Sequence, residues 1–221
     1  MEYSNSKGLV WYACYGSNML EDRFRRYILG GKIGGTDHVE PGCDDKTLPL
    51  ESHPLAIPYP LYFAGYSPRW GGTSGAFVDL RMEDAKSRFT LAKMYLIKTI
   101  QFLEVVKQEN DQNSAVHVDF KKLVRDGSYN FDASGAYGKA IHVGKFSGIE
   151  CVTFTSAAGM DRMPIGKPSE AYLRVIMSGL RETWNLGAEK IADYLISKPG
   201  VAGNYGLQQL LDMQKVKMRA R

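Results

Sequence analysis

The chain has 221 residues, 44% of them hydrophobic, 24% charged and 11% aromatic, a composition that excludes disordered and fibrous classes. A chain this long buries a substantial core without a disulfide or metal staple, and a formal charge of +4 is mild for its size. Mean hydropathy is −0.28, no apolar run approaches the ~18 residues of a membrane span, and residues 1–9 lack the apolar stretch of a secretory leader. These features predict a soluble, cytoplasmic protein with no membrane partner. Cys14, Cys43 and Cys151 show no CxxC spacing, which argues against a disulfide framework or a structural zinc. Lys215, Lys217, Arg219 and Arg221 crowd the last seven residues and read as a solvated tail, so no nucleic-acid partner is expected. No Ser/Pro/Gly-rich linker divides the chain, and one domain over 1–221 is expected.

Residues 10–15, Val-Trp-Tyr-Ala-Cys-Tyr, predict a buried first strand. It stops at Gly16-Ser17, and Asn18 is expected to cap a helix, with Glu21 completing a capping box. Met19, Leu20, Phe24, Tyr27 and Ile28 share one face of that helix, which ends at Gly30-Gly31. Residues 31–58, with Pro41, Pro49, Pro54 and Pro58, predict a long irregular loop, a kind that is usually functional or mobile. Strands follow at 61–66, 75–80 and 91–97, then a helix from Thr99, expected as its cap, to about Asn110. A hairpin is expected over 138–143 and 148–155, then helices over 168–180 and 188–197, with an extension after about 200. Strands early and helices late, without βαβ alternation, give the α+β class.

Familiar catalytic signatures fail. Pro168 occupies the Ser/Thr position after Gly166-Lys167, so no phosphate loop forms. Gly72-Thr73-Ser74-Gly75 is one residue short of a nucleophile elbow. His38, Cys43, Asp44, Asp45 and His53 lack metal-ligand spacing, and no cofactor is expected. Cys14, within an apolar strand, reads as an inert thiol. Tyr59, Tyr62, Tyr66 and Trp70 read as strand packing. The strong local feature is Tyr15-Gly16-Ser17-Asn18 between a strand and a helix start. A glycine beside the N–H groups of a helix start can cradle an anion. The same pattern also serves as a plain strand–helix connection.

Tyr15-Gly16-Ser17-Asn18 after an apolar strand resembles the Y-G-S-N signature of the gamma-glutamylcyclotransferase-like superfamily. Trp70-Gly71-Gly72 before a strand, the stretch from Met94 to Gln108-Glu109, and Pro168-Ser169-Glu170-Ala171-Tyr172 leading on to Asn185-Leu186 are similar to further family elements, in family order. The resemblance spans about residues 10–197 and implies a small mixed β-barrel-like sheet flanked by helices. It implies that Tyr15, Gly16, Ser17 and Asn18 bind a glutamyl group, that Glu109 is the acid/base, and that Tyr172 lines the pocket. The implied reaction converts a small-molecule gamma-glutamyl amide into 5-oxoproline and a free amine, without metal or cofactor. Glu104, offset by about 140° on an ideal helix, is expected to face solvent. Two other readings stay open: a different amide-cleaving or acyl-transfer enzyme, and a non-catalytic binding or interaction protein on the same fold. A homodimer stays open as well.

Overall fold

The computed structural model describes residues 8–32, 39–81, 89–111, 114–132 and 134–215. Its first strand, β1 (Leu9–Cys14), is apolar throughout because both faces are covered. Val10, Tyr12 and Cys14 join the main core, while Trp11 and Ala13 enter a second cluster on the opposite face, as a two-residue period requires. The chain then makes a 3₁₀ turn at Ser17–Met19 before α1 (Glu21–Leu29) begins. The capping box expected at Asn18 does not form; Leu20 holds the cap position without a side-chain bond. The Glu21 N–H is taken instead by Glu182 Oε1 at 3.2 Å, a carboxylate that also receives Lys93 Nζ at 2.8 Å. Asn18 is thereby released for another partner.

The stretch expected as an irregular loop contains β2 (Gly31–Lys32), β3 (Val39–Glu40) and a six-residue strand, β4 (Ser52–Ile57). Pro54 and a largely exposed face hide β4 from pattern reading, and both are tolerated because β4 is an edge strand. β5 (Leu61–Ser67), a 3₁₀ turn (Pro68–Trp70), β6 (Thr73–Val78) and β7 (Thr90–Lys98) follow. α2 (Thr99–Glu109) has Lys98 rather than Thr99 at its cap, with the Lys98 N–H donated to Gln101 Oε1 at 3.0 Å. Two short elements escaped the sequence reading, α3 (Phe120–Asp126) and β8 (Ser128–Asn130). The expected hairpin is β9 (Lys139–Phe146) with β10 (Ile149–Thr155), and α4 (Glu170–Trp184), α5 (Ala188–Ile196) and α6 (Leu207–Lys215) complete the chain.

Six strands form one sheet in the order β4-β7-β1-β10-β9-β8. The β1–β10 pair is parallel and the other pairs are antiparallel, so the α+β class stands. The β5–β6 hairpin forms a separate sheet, clasped to β10 by one hydroxyl. Thr155 Oγ1 accepts the Val78 N–H at 3.1 Å and donates to the Val78 carbonyl at 2.7 Å. Among the described residues no helix is long and apolar enough to cross a membrane. His38, Lys217, Arg219 and Arg221 lie outside the described residues.

α4 crosses directly over the 3₁₀ turn, and the contact depends on Gly179. A Cβ there would stand 2.7 Å from Met19 Cβ and 2.8 Å from the Leu20 nitrogen, so any side chain pushes the helix off the turn. Gly179→Val is expected to lower the unfolding free energy by about 1–3 kcal/mol, read from the urea midpoint. An unchanged midpoint would mean that the crossing is loose.

Candidate active site

β1 delivers the chain into the Tyr15-Gly16-Ser17-Asn18 turn at the sheet end. Tyr15 is buried and its hydroxyl donates to the Phe154 carbonyl at 2.6 Å; burial pushes this phenol far above its ordinary range. Its oxygen is therefore a fixed anchor for the turn. Gly16 lies against Tyr172, where a Cβ would stand 3.1 Å from the hydroxyl oxygen and 3.6 Å from Ala76 Cβ. Ser17 and Asn18 are buried. As the opening residues of a 3₁₀ turn, they have N–H groups without partners inside it. Asn18 Nδ2 donates to Glu109 Oε1 at 2.9 Å and lies 3.4 Å from the Tyr12 hydroxyl. Its Oδ1 is buried with no hydrogen-bond partner, and Tyr95 donates to its backbone carbonyl at 3.2 Å. The turn and Glu109 thus meet directly.

Glu109 ends α2, and the residue before it sets its direction. Gln108 is buried, donates to the Tyr27 carbonyl at 3.1 Å and accepts the Gly42 N–H at 3.2 Å. That pins the inner face of α2 and leaves the Glu109 carboxylate turned toward Asn18. Glu104 does not face open solvent as expected: it is half-buried and accepts the Asp44 N–H at 3.2 Å. It supports the loop beside α2 and does not line the cavity that holds Glu109.

The residue missed by sequence reading is Arg69, one position before Trp70. Its side chain is 8% exposed and lies 3.3 Å from Glu40, 3.5 Å from Glu109 and 2.7 Å from Asp111. It also donates to the Gln108 and Glu109 carbonyls at the C-terminal end of α2, where a helix attracts a cation. Burial opposes its charge, but the groups around it, Tyr27, Glu109, Glu40 and Asp111, outweigh that and raise its pKa further. Nothing in the local pattern distinguishes Arg69 from a surface arginine; only the fold gathers its partners.

The Tyr15-Gly16-Ser17-Asn18 turn, Arg69, Glu109 and Asp111 line a cavity of about 500 Å³ that also takes in Tyr12, Trp70, Ala76, Tyr137 and Tyr172. Tyr172 sits in the first turn of α4, where Ser169 Oγ caps its N–H at 3.2 Å. Its hydroxyl oxygen accepts the Ala76 N–H at 3.2 Å, so its own proton can point into the cavity. Burial, and then the Glu109 charge, raise its pKa and keep the phenol protonated. Trp70 stacks on Tyr172 at 4.5 Å and lies under the Arg23 guanidinium at 4.8 Å, so it belongs to the site rather than to strand packing alone. The Gly-rich stretch before β9 is docked by Asn110, which exchanges hydrogen bonds with the Tyr137 backbone at 2.8 and 2.9 Å. Tyr62 is fully buried and Tyr66 is exposed.

Cys14 borders the cavity but is buried, its thiol donating to the Lys93 carbonyl at 3.3 Å, and burial raises its pKa strongly. The candidate metal set is not assembled. His53 pairs with Glu51 at 3.3 Å, Asp45 pairs with Lys98, and among the described residues no three His, Cys, Asp or Glu side chains are placed to hold a metal ion.

No protein-family model matches the chain. Over 86% of its length it is 30% identical to a protein of Arabidopsis thaliana called histone deacetylase 5, and it spans 31% of that protein. Among solved structures, an uncharacterized protein from Homo sapiens superposes with a TM-score of 0.50 at 14% identity, over 95% of this chain and 100% of that one. A gamma-glutamyl cyclotransferase structure gives 0.47 at 14% identity, over 94% and 98%. The superposition on the human protein, over the whole of that chain, shows a shared α+β fold.

Removing Arg69 takes a guanidinium away from the Glu40 carboxylate, whose side chain is 0% exposed. Arg69→Ala is expected to cost about 3–5 kcal/mol of folding stability. Adding Glu40→Gln to it is expected to restore a measurable part. Denaturant titration of the two variants reads both effects, and a double variant no more stable than Arg69→Ala would separate Glu40 from Arg69.

Proposed function

We propose that the chain converts a gamma-glutamyl amide into 5-oxoproline and a free amine, with Glu109 moving the protons. The carrying observation is the 2.9 Å hydrogen bond from Asn18 to Glu109 across one cavity. It sets a carboxylate beside a turn that a substrate can approach closely at Gly16. The nucleophile is the substrate's own alpha-amine, so holding it against the gamma-carbonyl supplies much of the acceleration.

The alpha-ammonium first gives a proton to the Glu109 carboxylate. The freed nitrogen lone pair attacks the gamma-carbonyl carbon, and the carbonyl π electrons move onto its oxygen. The Tyr172 hydroxyl and the N–H groups at the start of the 3₁₀ turn are the donors suited to that oxyanion. Glu109 then passes its proton to the amide nitrogen of the tetrahedral species and takes a second from the new ring nitrogen. The oxyanion collapses, the bond to the departing nitrogen breaks, and that nitrogen leaves as an amine that takes the second proton from Glu109, which restores the carboxylate and releases an ammonium. The buried, unpartnered Asn18 Oδ1 is an acceptor suited to the substrate's N–H groups. No Ser or Cys nucleophile and no cofactor enters the scheme, and no nucleic acid or membrane takes part.

Glu109→Gln keeps the hydrogen bond length but loses the base, and turnover is expected to fall by roughly 10²- to 10⁴-fold. Glu104→Gln is expected to retain turnover, and Gly16→Val, with its added bulk against Tyr172, to raise KM. Release of 5-oxoproline from a panel of gamma-glutamyl amino acids and amines reads all three. Full turnover by a folded Glu109→Gln protein would overturn the assignment. Tight binding of the panel without release would favour a non-catalytic binding protein.

A further inference from the structure

The cavity is larger than a five-carbon glutamyl group requires. At about 500 Å³, it falls in the range that accepts a drug-sized ligand. Asn18, Glu109, Arg69 and Tyr172 supply its polar part. Ala76 on β6 marks a boundary, its N–H held by Tyr172 and its carbonyl by the Tyr137 hydroxyl at 3.2 Å. Next to Ala76 the wall becomes aromatic and thioether. The Phe77 ring lies 4.9 Å from that of Tyr137 and 5.7 Å from that of Tyr62. Met163 takes the Tyr62 hydroxyl at 3.6 Å and covers Gly65, where a Cβ would stand 3.2 Å from Met163 Cε.

The charge on the wall is one-sided. Arg69 is the one Lys, Arg or His among the described residues lining the cavity, and Glu40, Glu109 and Asp111 already face it. Resting on the lactam-forming reading, we propose that the departing amine carries a bulky apolar or aromatic group and no carboxylate. The glutamyl half occupies the polar part, and the amine substituent lies against Phe77, Tyr137 and Met163. A carboxylate on that substituent would be desolvated against Phe77, Tyr137 and Met163, a stretch of wall that carries no cation, which disfavours it. A neighbouring cleft of about 180 Å³ shares Ser156 and Ala158 with the cavity and contains Arg81, Lys139 and Arg162. Asp79 and Asp161 already pair with Arg81 at 2.7 and 2.8 Å. A carboxylate that reached those cations would reverse the preference.

The test compares 5-oxoproline release by the full chain from gamma-glutamyl-phenylalaninamide, gamma-glutamylphenylalanine and gamma-glutamylglycine. The first two differ at one carboxylate, and the amide is expected to lead in kcat/KM by about tenfold or more. Met163→Lys, at a partly exposed site, is expected to shrink the ratio of amide to acid, a readout that loss of folded protein does not move. Equal or faster release from the carboxylate-bearing conjugates, or an unchanged ratio in a folded Met163→Lys protein, overturns this inference and leaves the lactam-forming reading intact. No 5-oxoproline from any of the three overturns both.

Discussion

Asn18 and Glu109 stand 91 positions apart in the chain and are joined by one hydrogen bond to a carboxylate. Inside a protein such a bond is stronger than in water, and the cost of leaving its partners unmatched is higher too. Several otherwise separate features converge on it. β1 must end at Cys14, the chain must make a 3₁₀ turn before α1, and α2 must stop in register with Gln108 inward. The remote cap from Glu182 to the start of α1 leaves the Asn18 amide available for this bond.

Arg69 solves the electrostatic problem that this geometry creates. Glu40, Glu109 and Asp111 converge at the C-terminal end of a helix, whose own dipole is negative there. A cation with several donors in a planar fork can satisfy carboxylates and backbone carbonyls together, which a lysine cannot. Arg69 comes from the turn joining β5 to β6, so it also fastens the hairpin that walls the cavity to the helix that carries the acid/base candidate. Thr155 secures the same hairpin from the other side.

Much of this arrangement was legible in the residues. The run Val10 to Tyr15 announced a buried strand, and Phe24, Tyr27 and Ile28 marked the buried face of α1. The motif order brought Gly16, Glu109 and Tyr172 into one expectation, and they line one cavity. What stayed hidden was long-range or local in a misleading way. Asn18 followed by Glu21 looks like a helix cap, because local pattern cannot see Glu182 arriving from α4. Ser52 to Ile57 looks like loop, because an edge strand needs neither alternation nor the absence of proline. Arg69 gave no signal, since its partners lie 29, 40 and 42 positions away and only tertiary structure unites them.

All three thiols, Cys14, Cys43 and Cys151, are interior, and burial suppresses ionisation of each. Oxidants and electrophiles attack thiolates at the surface, so the folded molecule offers them no foothold here. A cavity whose polar groups are a carboxylate, a phenol and backbone amides exposes no ionised thiol to the redox poise around it.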